Sequence, residues 1–384
     1  MIKNNTNTDV VICLDPKGII ISGGDEVITR QSNYARELQN LDLDRRIKFV
    51  VFSTSDSVNC IEKESHFFSI HIISTKSTNL YRFANAVRKL VVENDYNTKL
   101  IVVGDPWESY WSALIFNRIT STATPIQIGI HADIGDKKWR RISIRNQIKF
   151  IFAKLTLSNS SLVRSVSRNQ TLKLVNCFGL DQNRITVAPI PIDTQRISFK
   201  SPQRPVTIGF IGRIHTDRGI WNFVELIRIL KSGYKDFSIV IAGDGPDRDK
   251  FLHQLEMVIS KNQIKYLGQI SQDKLGDLWK SIGVLVSMAP VESYGRVLRE
   301  SLLAGVPVWA IASSGVLDLL ENAEPGTVKI LELEVDESGL YKDFDSLLKV
   351  KVGPKFRYTF IKENNSYAEI LVKSWIDTIE NFKK

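Results

Sequence analysis

The sequence predicts two α/β domains in series, each a doubly wound parallel sheet with helices on both faces. Three observations carry that expectation. The chain has 384 residues, more than one ordinary hydrophobic core organises. Apolar β-branched runs alternate with helical patterns, the order expected of strand–helix–strand crossovers. The alternation pauses at a Pro-bearing stretch, 197–205, and then starts again.

In the first series, 10–14, 47–52, 100–103 and 125–130 read as buried strands, and 25–40 and 80–93 carry helical periodicity between them. In the second, strands fall at 206–211, 237–241, 264–267, 284–287 and 306–311, with helices at 219–231, 247–260, 272–280 and 296–304. The expected division is 1–200 and 201–365, with a linker at 200–205 and the cleft beside it as the default ligand site. The stretch 367–382 reads as an amphipathic helix.

Composition narrows the class. Apolar residues make up 43% and charged residues 24%, which excludes an intrinsically disordered chain. Cys13, Cys60 and Cys177 lie far apart, in neither a disulfide nor a zinc pattern, and fit a reducing compartment. The start is polar and Asn-rich rather than signal-like, and no run of 18 apolar residues occurs. A cytoplasmic protein is the expectation. The net charge of +9 is concentrated: 137–180 holds ten basic residues and no Asp or Glu. That local field calls for an anionic partner at one place.

The sharpest motif is Glu292-Ser293-Tyr294-Gly295-Arg296-Val297, followed by Glu300. A strand feeds a short loop, and a helix begins near Arg296. Gly295 lets a ligand approach the first free N–H groups of that helix, and these with the positive helix end suit a diphosphate. Glu292 and Glu300 would then face sugar hydroxyls; the plain alternative is a solvated Glu292 and a Glu300 that merely favours the helix start. Upstream, strand 206–211 ends in Gly212-Arg213, with Arg218-Gly219 at the next helix, and two guanidiniums there suit phosphate oxygens. The turn Gly243-Asp244-Gly245-Pro246 closes another strand.

Taken in this order, these residues resemble the nucleotide-sugar domain of family 4 (group 1) retaining glycosyltransferases, which adopt the GT-B fold of two Rossmann-like domains facing across a cleft. The similarity rests on Glu292 and Glu300 with seven residues between them, Gly212-Arg213, Gly243–Pro246, Tyr266-Leu267-Gly268 and the run 304–308. It is strong over 206–320 and weaker before. The resemblance implies that Arg213 and Arg218 neutralise the donor diphosphate and that Glu292 contacts the transferred sugar. It assigns the ribose to Glu300, the distal phosphate to the N–H groups of Tyr294, Gly295, Arg296 and Val297, and the base to the Gly268–Ile270 backbone. Two departures stand out: Arg218 where Lys is usual, and Ser314-Gly315-Val316-Leu317-Asp318 where Gly-Gly and a Glu are common.

The first half is fainter. Gly23-Gly24 before the helix 25–40 matches a loop that approaches the donor phosphate, or is a plain turn. His131 matches a strand-end histidine near the donor sugar. Asp133 and Asp136 read as loop carboxylates, and 105–108 as a wall of the acceptor pocket. No Asp-x-Asp closes a strand, so no metal and no cofactor are expected; two arginines and a helix N-terminus replace the cation. The resemblance further implies that the last helix, 366–384, packs back on the first domain.

The implied reaction is front-face transfer of a hexose, with retention, from a nucleotide sugar. UDP-glucose comes first and GDP-mannose second. The acceptor is a saccharide or a lipid-linked one, in polysaccharide or glycolipid synthesis. Trp139, Phe150, Ile151 and Phe152 are interleaved with basic residues in 137–173, which reads as peripheral contact with anionic lipid at the inner face of the membrane rather than with nucleic acid. Two other classes remain: a non-catalytic binder of nucleotide sugars on the same fold, and another Rossmann enzyme. The latter needs Gly-x-Gly-x-x-Gly, but position 248 is Arg.

Overall fold

A computed structural model describes residues 7–42, 47–55, 60–74, 79–158, 160, 162–199, 205–234, 236–271, 274–334 and 336–382. The chain divides into two compact units: Met1–Pro191 with Asn365–Lys384, and Ile192–Asn364. The division thus falls after 191 instead of after the expected 200. The reason is local. Ile192 and Ile197 are buried, and the Asn364 side chain accepts from Ile192 N at 2.8 Å and donates to its carbonyl at 2.9 Å. The expected linker at 200–205 lies almost wholly outside the described residues.

Unit 1 contains β1 (Thr8–Asp15), α1 (Ile19–Ser22), α2 (Gly24–Leu41), β2 (Lys48–Ser55), β3 (Cys60–Glu64), β4 (Phe68–Ser74), α3 (Leu80–Glu93) and β5 (Tyr96–Val103). It continues with α4 (Glu108–Thr120), β6 (Ile126–Gly129), α5 (Lys137–Arg141), α6 (Ile144–Ser158), β7 (Leu162–Ser165), α7 (Arg168–Phe178) and β8 (Ile185–Val187). Its sheet runs β3-β4-β2-β1-β5-β6-β7-β8, and only the edge pairing β3–β4 is antiparallel. The central strand β1 is buried on both faces, so its Val-Val-Ile-Cys-Leu run is continuous rather than alternating.

Unit 2 contains β9 (Thr207–Ile211), α8 (Ile220–Gly233), β10 (Ser238–Ala242), α9 (Arg248–Glu256), β11 (Ile264–Tyr266), α10 (Leu275–Lys280) and β12 (Val284–Ser287). It ends with α11 (Arg296–Leu303), β13 (Val308–Ala310), α12 (Ser314–Asn322), β14 (Val328–Ile330) and α13 (Glu337–Lys349). Its sheet is wholly parallel, in the order β11-β10-β9-β12-β13-β14. Phe210, Phe223 and Phe251 meet at centroid distances of 5.2–6.0 Å in the core between β9, α8 and α9.

The last helix, α14 (Lys355–Asn381), starts twelve positions before the expected 367. Its start is fixed from far away: the Glu324 carboxylate accepts from Gly353 N at 2.6 Å and Phe356 N at 3.3 Å. Its later half belongs to unit 1. Leu371, Val372, Trp375 and Ile379 pack against Tyr34, Phe49 and Val51, and Gln127 bonds both Ser374 Oγ (3.0 Å) and Trp375 Nε1 (2.7 Å). Among the described residues no helix is long and apolar enough to cross a membrane.

Candidate active site

In unit 2 the winding reverses between β9 and β12: β9, β10 and β11 step one way, and β12, β13 and β14 the other. The crevice at the carboxyl ends of two such strands is where open α/β sheets bind ligands. Both sharp sequence motifs open from it. Gly212 to Arg218 follows β9, and Glu292 to Gly295 follows β12.

Across the crevice, Arg218 Nη1 donates to Glu292 Oε2 at 2.9 Å. The other Glu292 oxygen accepts from Gly295 N at 3.2 Å. Gly295, at φ +73°, caps α11, whose first N–H groups and positive end point the same way. A loop carboxylate, a guanidinium and a helix N-terminus therefore share one place.

The backbone that holds them is tightly specified. Gly219, at φ +70°, starts α8 so close to the end of β12 that a Cβ would lie 2.1 Å from the Met288 carbonyl oxygen. Gly315 donates its N–H to the Glu292 carbonyl at 2.7 Å, and a Cβ there would meet the Tyr294 backbone at 2.5 Å. The departure at 314–318 thus has a place: α12 begins against the Glu292 loop. Arg299 lies 3.9 Å over the Tyr294 ring and donates to the Gly315 carbonyl at 3.4 Å, tying α11 to α12.

The remaining candidates occupy different positions. Arg213 is exposed and turned to Asp217 at 2.6 Å. Gly212 and Gly268 take φ of +144° and +65° beside open space, so the backbone rather than packing requires glycine there. Gly243 does pack: a Cβ would lie 1.9 Å from the Gly212 carbonyl oxygen. Ile270 and Val297 are half-buried. Glu300 is buried one turn into α11, with Arg296 at 3.9 Å. The two line a cavity of about 20 Å³ with Asp193, Arg196 and Leu275, room for roughly one water. Glu292 is half-buried and Glu300 is buried, so the two carboxylates at this helix start differ in exposure.

Unit 1 has its own reversal, between β1 and β5. Lys17, just after β1, bridges it, at 3.3 Å from Asp105 and 2.6 Å from Glu108 after β5. Desolvation alone would lower its pKa, but the bonds to Glu108 and Asp105 prevail and raise it. The sequence reading missed Lys17, because only the fold brings 17 beside 105. Asp105 also caps α4 through Trp107 N and Ser109 N. Trp107 turns away, donating Nε1 to the Lys149 carbonyl at 2.7 Å and stacking on Trp139. Gly24, at φ +68° with open space at its Cβ, is the first residue of α2 rather than part of a loop. Asp133 and Asp136 pair with Lys173 and are structural.

His131 lies two residues after the end of β6. It is exposed at its surface, yet protein atoms crowd the ring; desolvation, then repulsion from Arg164 and Arg30, lowers its pKa. The imidazole is therefore neutral at pH 7.

Comparison with known proteins relates the sequence to glycosyltransferases. The family described as Glycosyl transferases group 1 matches residues 191–351. A 2-deoxystreptamine glucosyltransferase of Streptomyces kanamyceticus is 28% identical over 38% of this chain and 38% of its own length. The phosphatidylinositol N-acetylglucosaminyltransferase gpi3 subunit of Schizosaccharomyces pombe is 23% identical over 60% of this chain and 49% of its own. The chain spans 38%, 32% and 25% of the length of three curated relatives that it matches.

Solved structures agree over the whole fold. A sucrose-phosphate synthase of Thermosynechococcus elongatus superposes with a TM-score of 0.67 at 15% identity, covering 97% of this chain and 94% of that one. Anabaena HepE, in complex with UDP-glucose, gives 0.64 at 17%, covering 95% and 99%. Residues 191–351 thus match the family of group 1 glycosyl transferases, in a chain with the GT-B fold.

Proposed function

We propose that this protein is a retaining, metal-independent hexosyltransferase that takes a nucleotide sugar, UDP-glucose first and GDP-mannose second, and glycosylates a saccharide or lipid-linked acceptor. One observation carries the reading: Arg218, Glu292 and the N-terminus of α11 converge at the switch point of unit 2. The donor's diphosphate suits the α11 N–H groups and Arg218 together. It then competes with Glu292 for the same guanidinium, and frees the Glu292 carboxylate for the hydroxyls of the transferred sugar.

Transfer proceeds at the face from which the diphosphate departs. The leaving oxygen takes the acceptor proton, and the protein lowers the barrier by stabilising charge that grows on that diphosphate. Arg213 reaches the same anion by exchanging its exposed bond to Asp217. Glu300 holds the ribose, and the Gly268–Ile270 backbone meets the base. The roles of His131 and Gly24 rest on the family resemblance alone.

The relatives support the breadth of the acceptor class: one is named for 2-deoxystreptamine and another for phosphatidylinositol. HepE, named for its UDP-glucose complex, supports the first choice of donor. The cysteines and the basic segment support work in the cytoplasm, at or near the inner face of a membrane.

The test is a thermal shift with UDP, GDP and ADP, followed by hydrolysis or transfer from the matching sugar nucleotide. A ligand at a hundred times its Kd raises stability by about 2.7 kcal/mol. A shift with one nucleotide and turnover of its sugar supports the proposal. A shift without turnover leaves a binding protein, and no shift with any of the three removes the assignment.

A further inference from the structure

We infer that Arg299 is a positioning residue for transfer: its buried guanidinium braces the loop from Glu292 to Gly295 and adds fixed positive charge to the N-terminus of α11. The inference rests on the transfer reading above, and gives that site a side chain which the reading does not use.

Arg299 is the fourth residue of α11 and is 6% exposed. A guanidinium keeps its charge in a protein, and burying it is costly unless an acid answers it. Among the described residues no ion pair joins Arg299 to a carboxylate. Its contacts are the Tyr294 ring, 3.9 Å away, and the Gly315 carbonyl, at 3.4 Å. Its place in the helix is unfavourable too. Acids suit the positive end of a helix, yet the first turn of α11 holds none, and Arg296 and Arg299 stand there instead. Folding alone would favour a side chain such as Met, which fills a similar space without burying a charge. A diphosphate at this helix end offsets both costs, because its negative charge answers the cation and the helix end together.

Geometry gives Arg299 its second task. Gly315 uses both of its peptide groups on this side of α12: its N–H donates to the Glu292 carbonyl at 2.7 Å, and its carbonyl accepts from Arg299. Tyr294 is buried and held twice, by its ring under the guanidinium and by its backbone, which a Cβ on Gly315 would meet at 2.5 Å. In the proposed reaction the diphosphate takes Arg218 and the Gly295 N–H from Glu292, and the loop loses those side-chain ties. The Arg299 stack and the Gly315 bonds remain. They keep the loop backbone in place while the Glu292 carboxylate turns to the sugar.

The experiment compares the full chain with Arg299→Met and Arg299→Lys. Melting curves are taken with and without inorganic pyrophosphate, and kcat and KM are measured for the sugar nucleotide that the wild type turns over. Arg299→Met is expected to melt no more than about 4 °C below the wild type. It should respond less to pyrophosphate, show a raised KM, and lose kcat by about tenfold to a hundredfold. Arg299→Lys keeps the charge but not the planar stack, so it should restore the pyrophosphate response and KM but only part of kcat. The inference is overturned if Arg299→Met turns over within about threefold of the wild type, or if pyrophosphate shifts the two alike. It is equally overturned if Arg299→Met melts lower than the stated limit, which makes Arg299 a prop of the fold. A wild type that responds to neither pyrophosphate nor any sugar nucleotide removes the transfer reading itself, and the inference with it.

Discussion

Replacing Arg218 by Ala separates the active-site reading from a structural one. The Arg218–Glu292 pair is partly open to water, with side chains 39% and 24% exposed. Exposed pairs of this kind contribute about 0.2–1 kcal/mol to folding after solvent screening. In the variant, Glu292 keeps its bond to Gly295 N and the favourable end of α11, so no buried charge is stranded. At about 2–4 °C per kcal/mol for a unit of this size, the melting temperature should fall by less than about 4 °C. If Arg218 stabilises charge on the departing diphosphate, the barrier instead rises by about 2.7–4 kcal/mol, a drop of roughly 100- to 1000-fold in kcat. The assay pairs a melting curve with turnover at saturating donor. Arg218→Lys keeps the charge, and is expected to recover part of the loss. Turnover of Arg218→Ala within threefold of wild type, at an unchanged melting temperature, refutes the role.

Other outcomes follow from the packing. Gly219→Ala combines a left-handed backbone with a contact 2.1 Å from the Met288 carbonyl, so thermal unfolding should show a loss of at least about 2 kcal/mol. Trp375→Phe removes one hydrogen bond to Gln127 and leaves its Oε1 short of a donor, for a cost of about 1–3 kcal/mol, whereas Trp375→Ala should cost about 3–5 kcal/mol. Buried His71 has its pKa lowered, first by desolvation and then by Lys48. The unfolded chain therefore binds its proton more readily than the folded one. The stability that depends on neutral His71 is present above the ordinary histidine value of 6.5 and is lost as pH falls below it toward the depressed folded value. His71→Gln should flatten the melting temperature between pH 7 and pH 5, by at most about 1.36 kcal/mol per pH unit, with unfolding followed by circular dichroism.

The fold was legible where burial is continuous. β1, β9 and β12 lie in sheet centres, and their Val/Ile/Leu runs need no partner to be read as strands. Elements whose apolar pattern is broken by satisfied polar groups were not legible. β4 carries Ser69 and His71 in its interior, and these bond each other at 3.3 Å. α4 buries Ser109 and Ser112, with Ser112 Oγ on the Ser109 carbonyl at 2.7 Å. No window of sequence shows that these polar atoms are answered. The extent of α14 was hidden for a related reason, since Glu324 caps it from 29 positions upstream of Gly353.

The site divides in the same way. Residues on one short segment, such as Glu292, Gly295 and Arg296, announce a helix N-terminus through spacing alone. Pairings across the sheet do not: Arg218 meets Glu292 from 74 positions away, and Lys17 meets Asp105 from 88. The spacing of Glu292 and Glu300 is visible in the sequence, but the burial of Glu300 beside Arg296 is not. Tyr294 entered the sequence reading through its backbone N–H alone; its ring lies beneath Arg299 and helps to hold that loop.

Unit 1 is discontinuous, and its closing segment, Asn365–Lys384, is made only after unit 2. All of unit 2 is synthesised while the faces of Tyr34, Phe49 and Val51 still await Leu371, Val372 and Trp375. A chain that still lacks 365–384 therefore has its first unit unfinished, although that unit is the first to be synthesised. A stop codon just after 364 would release a complete unit 2 attached to a half with an open apolar face, a natural client for chaperones and proteases.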